Sequence, residues 1–402
     1  MKKNLMISRF FATIAVFVCA SATFAADIEI SKLGAGKDAI SLAGLRASGT
    51  QGKLFSQTLM SDLERSGWFK VDSSGAMRVT GTAEEAASTV QVSCSVAWAG
   101  GKGFQWSHAA GDEDTRRTAH LFADEIVRRT KGVPGIACTR ILMVRRNGNK
   151  GSDLFMCDAD GRNMKQVTHD HVYCVGPRWT ADGKAAYYTS YLDGRPCVYR
   201  VAVDGGPRQK VSSYLGLNAG ASVSPSGAEL ALILSFPGNP ELFLMQLGSG
   251  TLTRLTRTQM AAEASPAWSP DGRQIVYTSD GTGRAQLYVM ELATRQSRRI
   301  TFRGSENLNP SWAKDGRIAY ATRRGGPYQI AVWDARNSES SETVSDGASH
   351  EDPSWAPDSR HIVCSQRDGN NASIYILDTL GDTPIRLFPL SGEWVSPDWS
   401  ER

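Results

Sequence analysis

The sequence predicts a mainly β protein, a six-bladed β-propeller preceded by a small α/β domain. Two observations carry this reading. Residues 265–301 read as one four-stranded unit, and the same unit recurs through the last two thirds of the chain; before it, two amphipathic helices alternate with strand-like runs.

Within 265–301 an inner strand at Trp268 is followed by a turn at Asp271-Gly272, an alternating strand at 275–279, a third strand at 287–290 and an outer strand closing at Ile300-Thr301. Aligned on the inner strand, the copies are Pro177-Arg178-Trp179, Ala221-Ser222-Val223, Pro266-Ala267-Trp268, Pro310-Ser311-Trp312, Pro353-Ser354-Trp355 and Pro397-Asp398-Trp399, at intervals of 44, 45, 44, 43 and 44 residues. A period in the forties with four short strands per unit is the pattern of a propeller rather than of a helical solenoid. Turns recur at Asp182-Gly183, Ser226-Gly227, Asp315-Gly316 and Asp358-Ser359, because a tight hairpin needs residues that tolerate positive φ.

The two ends of the repeat region differ. The first copy starts at the strand 140–144 and has no Trp-bearing inner strand, while the last copy, 396–400, is nothing else. The expectation is that the C-terminal strand completes the first blade and closes the ring, which removes exposed sheet edges.

Ahead of the repeats, Leu54, Phe55, Leu59, Met60 and Leu63 share one face of a helix over 53–66 that ends at Gly67. Val90, Val92, Cys94 and Val96 alternate as a half-buried strand does, and 115–129 forms a second amphipathic helix followed by Gly132. The run at 132–135 (GVPG) is the expected hinge. The chain opens with a positive start, an apolar run at 10–18 and small residues near Ala25, so 1–25 is expected to be a secretory signal peptide. The expected division is 1–25 signal peptide, 26–134 α/β domain and 135–402 propeller.

A formal net charge of +4 with both signs mixed along 402 residues points to neither nucleic acid nor an acidic polymer. Six cysteines follow residue 25, at Cys94, Cys138, Cys157, Cys174, Cys197 and Cys364. An oxidising compartment permits disulfides among them, and no pairing is singled out.

No motif for hydrolytic or phosphate chemistry is present: the chain lacks Gly-x-Ser-x-Gly, His-Glu-x-x-His and a phosphate-cradling glycine loop. His169, His171 and His350 lie ahead of inner strands, where propeller loops gather on one face, so a metal held by them is the feature that an exported propeller lyase would need. The expectation is no catalytic residue, no metal and no cofactor. His120, one turn after Arg116 and Arg117, is expected to be an interdomain contact. The loops leading into the inner strands are polar and irregular, and they nominate a partner-binding channel mouth made of Asn218, Glu263, Glu306, Asn307, Asn309, His350, Glu351, Asp352 and Trp394.

The segment 116–126 (RRTAHLFADEI), followed by Gly132, Pro134-Gly135, Thr139-Arg140-Ile141 and Asp158-Ala159-Asp160-Gly161, resembles the TolB family, the periplasmic component of the Tol-Pal system. Residues 62–69 (DLERSGWF) resemble the end of that family's first helix, and the match covers both domains in the family's order. The stretch 81–114 is shorter and more divergent than the family's, and Ala221 and Val223 stand where other repeats have Pro and Trp. The resemblance implies a monomeric, periplasmic, non-catalytic scaffold. It would bind the peptidoglycan-associated lipoprotein Pal on a propeller face and the inner-membrane protein TolA through the N-terminal segment, Asp27, Ile28, Glu29 and Ile30, supporting envelope integrity and constriction during division. The alternatives are an exported propeller enzyme, such as a metal-dependent polysaccharide lyase, and a glycan-binding module.

Overall fold

The computed structural model describes residues 36–337, 341–345 and 347–401. The expected signal peptide and the segment 27–30 lie outside the described residues.

The N-terminal part runs β1 (Asp38–Ser48), α1 (Gly49–Arg65), β2 (Phe69–Val71), β3 (Met77–Ala86), β4 (Thr89–Trp98), β5 (Lys102–Gly111) and α2 (Thr115–Lys131). Its five strands form one sheet in the order β2-β1-β3-β4-β5, with β1 parallel to both neighbours and the β3, β4, β5 pairs antiparallel. Phe55, Leu59 and Leu63 of α1 meet Phe122, Ile126 and Val127 of α2 over Val79, Val90, Val92 and Val96 of the sheet, all buried. Each such side chain contributes roughly 1.5–3 kcal/mol on burial.

Helix α1 begins four residues before the expected start, because its first turn has no apolar periodicity to read. Gly52 belongs to that turn, where a Cβ would lie 2.2 Å from the Ala83 carbonyl oxygen, so only glycine lets the helix approach β3. Strand β5 was not expected; it is an edge strand that is mostly exposed and therefore shows little apolar alternation.

The rest of the chain is a propeller arrangement of antiparallel sheets. Cys174–Trp179, Ala185–Ser190, Cys197–Ala202 and Gln209–Ser212 form the Trp179 sheet. The Val223, Trp268 and Trp312 sheets repeat the plan from Asn218–Val223, Glu263–Trp268 and Glu306–Trp312. These are four separate four-stranded blades, not the six that the repeat count predicts. The remaining eight strands form a single sheet, because the third strand of the Trp355 repeat, Asn371–Asp378, touches the C-terminal strand through the Ala372 to Glu393 bridge. On its other side the C-terminal strand, Glu393–Trp399, pairs antiparallel with Arg140–Arg146, from Glu393 against Arg146 to Trp399 against Ile141.

No disulfide joins the six cysteines of the described residues, and five of them are buried among apolar side chains. Burial pushes the Cys94 and Cys174 thiols up to about 12, which leaves them protonated and inert.

Candidate functional site

Strand registers fix the two faces of the propeller. Cys174 pairs with Ser190, Ser190 with Cys197, and Val198 with Ser212, so the loops that enter inner strands and the hairpins between second and third strands share one end of each sheet. The Asp-Gly turns lie at the other end. That second end carries the α/β domain: Arg116 of α2 pairs with Asp160, Lys37 Nζ lies 2.7 Å from Asp382, and the Arg360 guanidinium sits 4.4 Å from the Trp68 ring centroid while bonding Asp378 at 2.7 Å. The loop-bearing end is therefore the distal face, turned away from the α/β domain.

Five of the nine expected channel-mouth residues do not face the channel mouth. Asn218, Glu263, Asn307, His350 and Trp394 occupy one equivalent position, the first or second residue of successive inner strands, and all are buried. Their polar atoms pin the preceding loop. Asn218 accepts from Ser212 Oγ at 2.7 Å and the Tyr214 amide at 2.9 Å, and donates to the Tyr214 carbonyl at 2.7 Å. Asn307 donates to Gln286 Oε1 and to the Arg303 carbonyl, both at 2.9 Å. Glu263 accepts from Ser279 Oγ at 3.1 Å and Thr258 Oγ1 at 3.3 Å; burial, then the charge of Glu241, pushes its carboxyl up to about 7. His350 Nδ1 lies 3.0 Å from the Ala348 carbonyl oxygen, and Trp394 Nε1 donates to the Ser391 carbonyl at 3.4 Å. A loop whose buried amides and carbonyls need partners takes them from this position, which explains its polarity without a ligand.

The other four, Glu306, Asn309, Glu351 and Asp352, are partly exposed. Asn309 and Asp352 belong to a ring that the sequence reading missed. Gly176, Gly220, Ser265, Asn309, Asp352 and Ser396 recur at the repeat interval, all with φ between 49° and 64°, and each sits at the bulge of its inner strand. Left-handed backbone is ordinary for Gly and Asn and uncommon for Ser. Ser265 Oγ donates to Asn309 Oδ1 at 2.8 Å, Asn309 Nδ2 donates to Asp352, and Ser396 Oγ donates to Asp352 Oδ2 at 3.1 Å, so side chains of adjacent repeats are tied across part of the ring. Gly and Asn at 176, 220 and 309 were the available signal. Nearby, Glu351, Arg367, Glu393 and Arg146 form a chain of ion pairs at 3.3, 3.3 and 2.8 Å, and Glu306 accepts from Tyr328.

Deeper in, the inner strands enclose a channel of about 560 Å³ lined by Arg178, Ser222, Ala267, Ser311, Ser354 and Asp398 with the inner-strand tryptophans. Asp398 accepts from the Trp179 amide at 2.8 Å and Ser354 Oγ at 3.2 Å, with Arg178 Nη1 3.4 Å away. Burial raises its pKa against the pull of Arg178.

The three loop histidines do not assemble. His171 pairs with Asp153 at 2.8 Å, whereas His350 is buried in the eight-stranded sheet. A group with metal-ligand spacing among the described residues is His120, Asp158 and Asp160 at the domain contact. Arg116 already neutralises Asp160 there, and a fixed guanidinium disfavours a cation. His120 Nδ1 lies 2.6 Å from Asp62 Oδ2 in this contact.

This geometry defines a class, a β-propeller with a channel and a polar-loop face, carrying an α/β domain on the opposite face. Residues 127–402 match the TolB beta propeller domain family. The chain belongs to that family. It is 29% identical over 178 residues to the Tol-Pal system protein TolB of Bordetella pertussis, a match covering 44% of this chain and 40% of that protein. The Bordetella bronchiseptica protein of the same name is equally similar over the same shares, so the chain spans well under half the length of these curated relatives. The crystal structure of TolB from Acinetobacter baumannii superimposes with a TM-score of 0.81 at 26% identity, covering 90% of this chain and 96% of that one. A putative TolB from Agrobacterium tumefaciens, at 21% identity, TM-score 0.53 and coverage of 63% and 90%, shares the fold. No helix among the described residues is long and apolar enough to cross a membrane.

Proposed function

We propose that the chain is a non-catalytic periplasmic scaffold of a Tol-Pal system, with a signal peptide at 1–25, an α/β domain at 26–134 and a propeller at 135–402. On this reading the eight-stranded sheet works as two blades, giving six. The distal face docks a Pal-like peptidoglycan-associated lipoprotein around Glu306, Asn309, Glu351 and Asp352, while Asp27, Ile28, Glu29 and Ile30 engage a TolA-like inner-membrane protein. A monomer holding both would connect the two membranes and support the envelope during constriction.

The observation that carries the reading is the inequality of the two faces. The α/β domain occupies part of one face through the part-buried Arg116–Asp160 ion pair and the stacking of Arg360 on Trp68, and the opposite face presents every loop that enters an inner strand, braced from beneath by Asn218, Glu263 and Asn307. Rigid blades presenting adjustable loops suit recognition rather than turnover.

The test is calorimetric titration of the mature chain with the soluble domain of the Pal-like lipoprotein from the same cell, with and without chelator. Micromolar or tighter binding that ignores chelator supports the scaffold. The variant E306K/E351K/D352N should weaken it by disturbing the bonds to Tyr328, Arg367, Asn309 and Ser396 that shape the rim. No binding by the unaltered chain overturns the reading.

A further inference from the structure

The distal face is apolar as well as polar. Among the described residues, nine of the twelve exposed large apolar side chains lie in its loops. The most exposed are Met260 at 94%, Leu215 at 78% and Phe302 at 72%. Beside them Tyr173 stacks edge-on to Tyr191 with centroids 5.5 Å apart, and Tyr214 lies 5.2 Å from Phe236. Arg195, in the same hairpin as Tyr191, donates to the Tyr214 carbonyl at 3.4 Å. The opposite face turns at Asp-Gly and Ser-Gly dipeptides and shows no comparable row among the described residues. Isolated exposed apolar residues are ordinary, but a row of them confined to one face marks an interaction surface.

Arginine accompanies the row. Arg195, Arg257, Arg284 and Arg303 are exposed in the same loops, and among the described residues the last three have no acidic partner. The acids in these loops are Asp170, paired with Arg208, Asp193, paired with Lys210, and Asp280, whose Oδ1 accepts the Ala262 amide at 2.7 Å. Loops 190–196, 213–217, 235–240, 257–262, 280–285 and 302–305 contain no lysine. Tyr, Phe and Met with Arg but without Lys is the composition of a protein interface core.

We infer that the loops of the Trp179, Val223 and Trp268 sheets form an apolar, arginine-rimmed crescent that receives an acidic protein surface bearing apolar anchors. This inference rests on the scaffold reading and deepens it: the lipoprotein domain takes its affinity from the crescent, with Glu306, Glu351 and Asp352 at its edge. Charge complementarity sets the partner's chemistry, since the loops carry four arginines against one acid without an ion pair.

The experiment is titration of the mature chain and two variants, L215S/M260S and R257E/R303E, with the soluble lipoprotein domain at about 50 and about 300 mM salt. All four side chains are exposed, so unchanged melting curves are expected and serve as the folding control. The expected result is a Kd raised about tenfold or more in each variant, with most of the salt dependence lost in R257E/R303E. Unaltered binding by both variants, with loss only in E306K/E351K/D352N, overturns the crescent and leaves the scaffold reading standing. Failure of the unaltered chain to bind overturns both. Binding instead to phosphatidylglycerol vesicles, lost in the same variants, also overturns the inference, because the occupant is then a lipid surface.

Discussion

Trp399 Nε1 donates to Thr139 Oγ1 at 2.7 Å across 260 residues of sequence, and both residues are buried. Next to this bond the Arg140 amide donates to Ser400 Oγ at 2.8 Å. The two ends of the propeller are thus joined by side chains as well as by the strand pairing of Glu393–Trp399 with Arg140–Arg146. The variant W399A should lose about 3–5 kcal/mol, from the indole's packing plus its hydrogen bond. W399F keeps most of the packing and should lose about 1 kcal/mol. Denaturant unfolding measures both, and a W399A midpoint equal to the unaltered chain's would show that the junction adds nothing to stability.

Asn218 is a loop brace, so its replacement should act on the loop rather than on the channel. N218A leaves the Tyr214 amide and carbonyl and Ser212 Oγ without their partner, at a cost of about 1–3 kcal/mol. Hydrogen exchange at the Tyr214 amide should quicken far more than exchange at core amides such as that of Leu232. Equal protection of Tyr214 in both proteins would refute the bracing role.

The propeller was legible because its signal repeats: a Trp-bearing inner strand and a turn every forty-odd residues survive the loss of any one copy, even Ala221 and Val223. The fusion of the last eight strands into one sheet was not legible, since it depends on the contact of Ala372 with Glu393, which no period records. The site was half legible. Polarity at loop ends identified Asn218, Glu263, Asn307 and His350, but polarity is the same for a side chain that braces a buried loop and for one that meets a partner. Ser265 and Ser396 gave no hint of left-handed backbone, and Leu215, Met260 and Phe302 are single apolar residues in polar loops, with no periodicity to mark them.

His120 and Asp62 make the domain contact sensitive to pH. Burial alone would lower the His120 pKa, but its hydrogen bond to Asp62 and that carboxylate's charge outweigh burial and hold it above the ordinary value. Burial raises Asp62 despite His120. Asp160 adds to the rise of both groups and Arg116 opposes it, with Asp158 and Asp124 close by. A group raised on folding stabilises fully below its unfolded pKa, about 6.5 for His, and loses that contribution as pH climbs through the folded value. The melting temperature should therefore fall as pH rises above the unfolded value of about 6.5. H120Q, which has no proton to lose, should flatten that slope, and H120A should cost about 3–5 kcal/mol by leaving Asp62 buried alone. Parallel slopes for H120Q and the unaltered chain would remove His120 as the cause.

Glu263 should limit stability at alkaline pH. Its carboxyl is raised to about 7, first by burial and then by the charge of Glu241, so the folded state holds the proton more tightly than the unfolded chain does. The stabilising contribution is complete below the unfolded value of about 4.3 and disappears as pH rises through 7. Above that, a buried carboxylate faces a second acid whose Oε2 has no hydrogen-bond partner. E263Q keeps the shape and can keep the bonds, because the Ser279 and Thr258 hydroxyls rotate and Thr258 Oγ1 already lies 3.3 Å from the Ala261 carbonyl oxygen. The variant should be more stable than the unaltered chain by about 1–3 kcal/mol at pH near 8 and indistinguishable from it at pH near 4. Chemical denaturation at the two pH values reads the difference directly, and a gain of the same size at both would assign it to packing instead of to the proton.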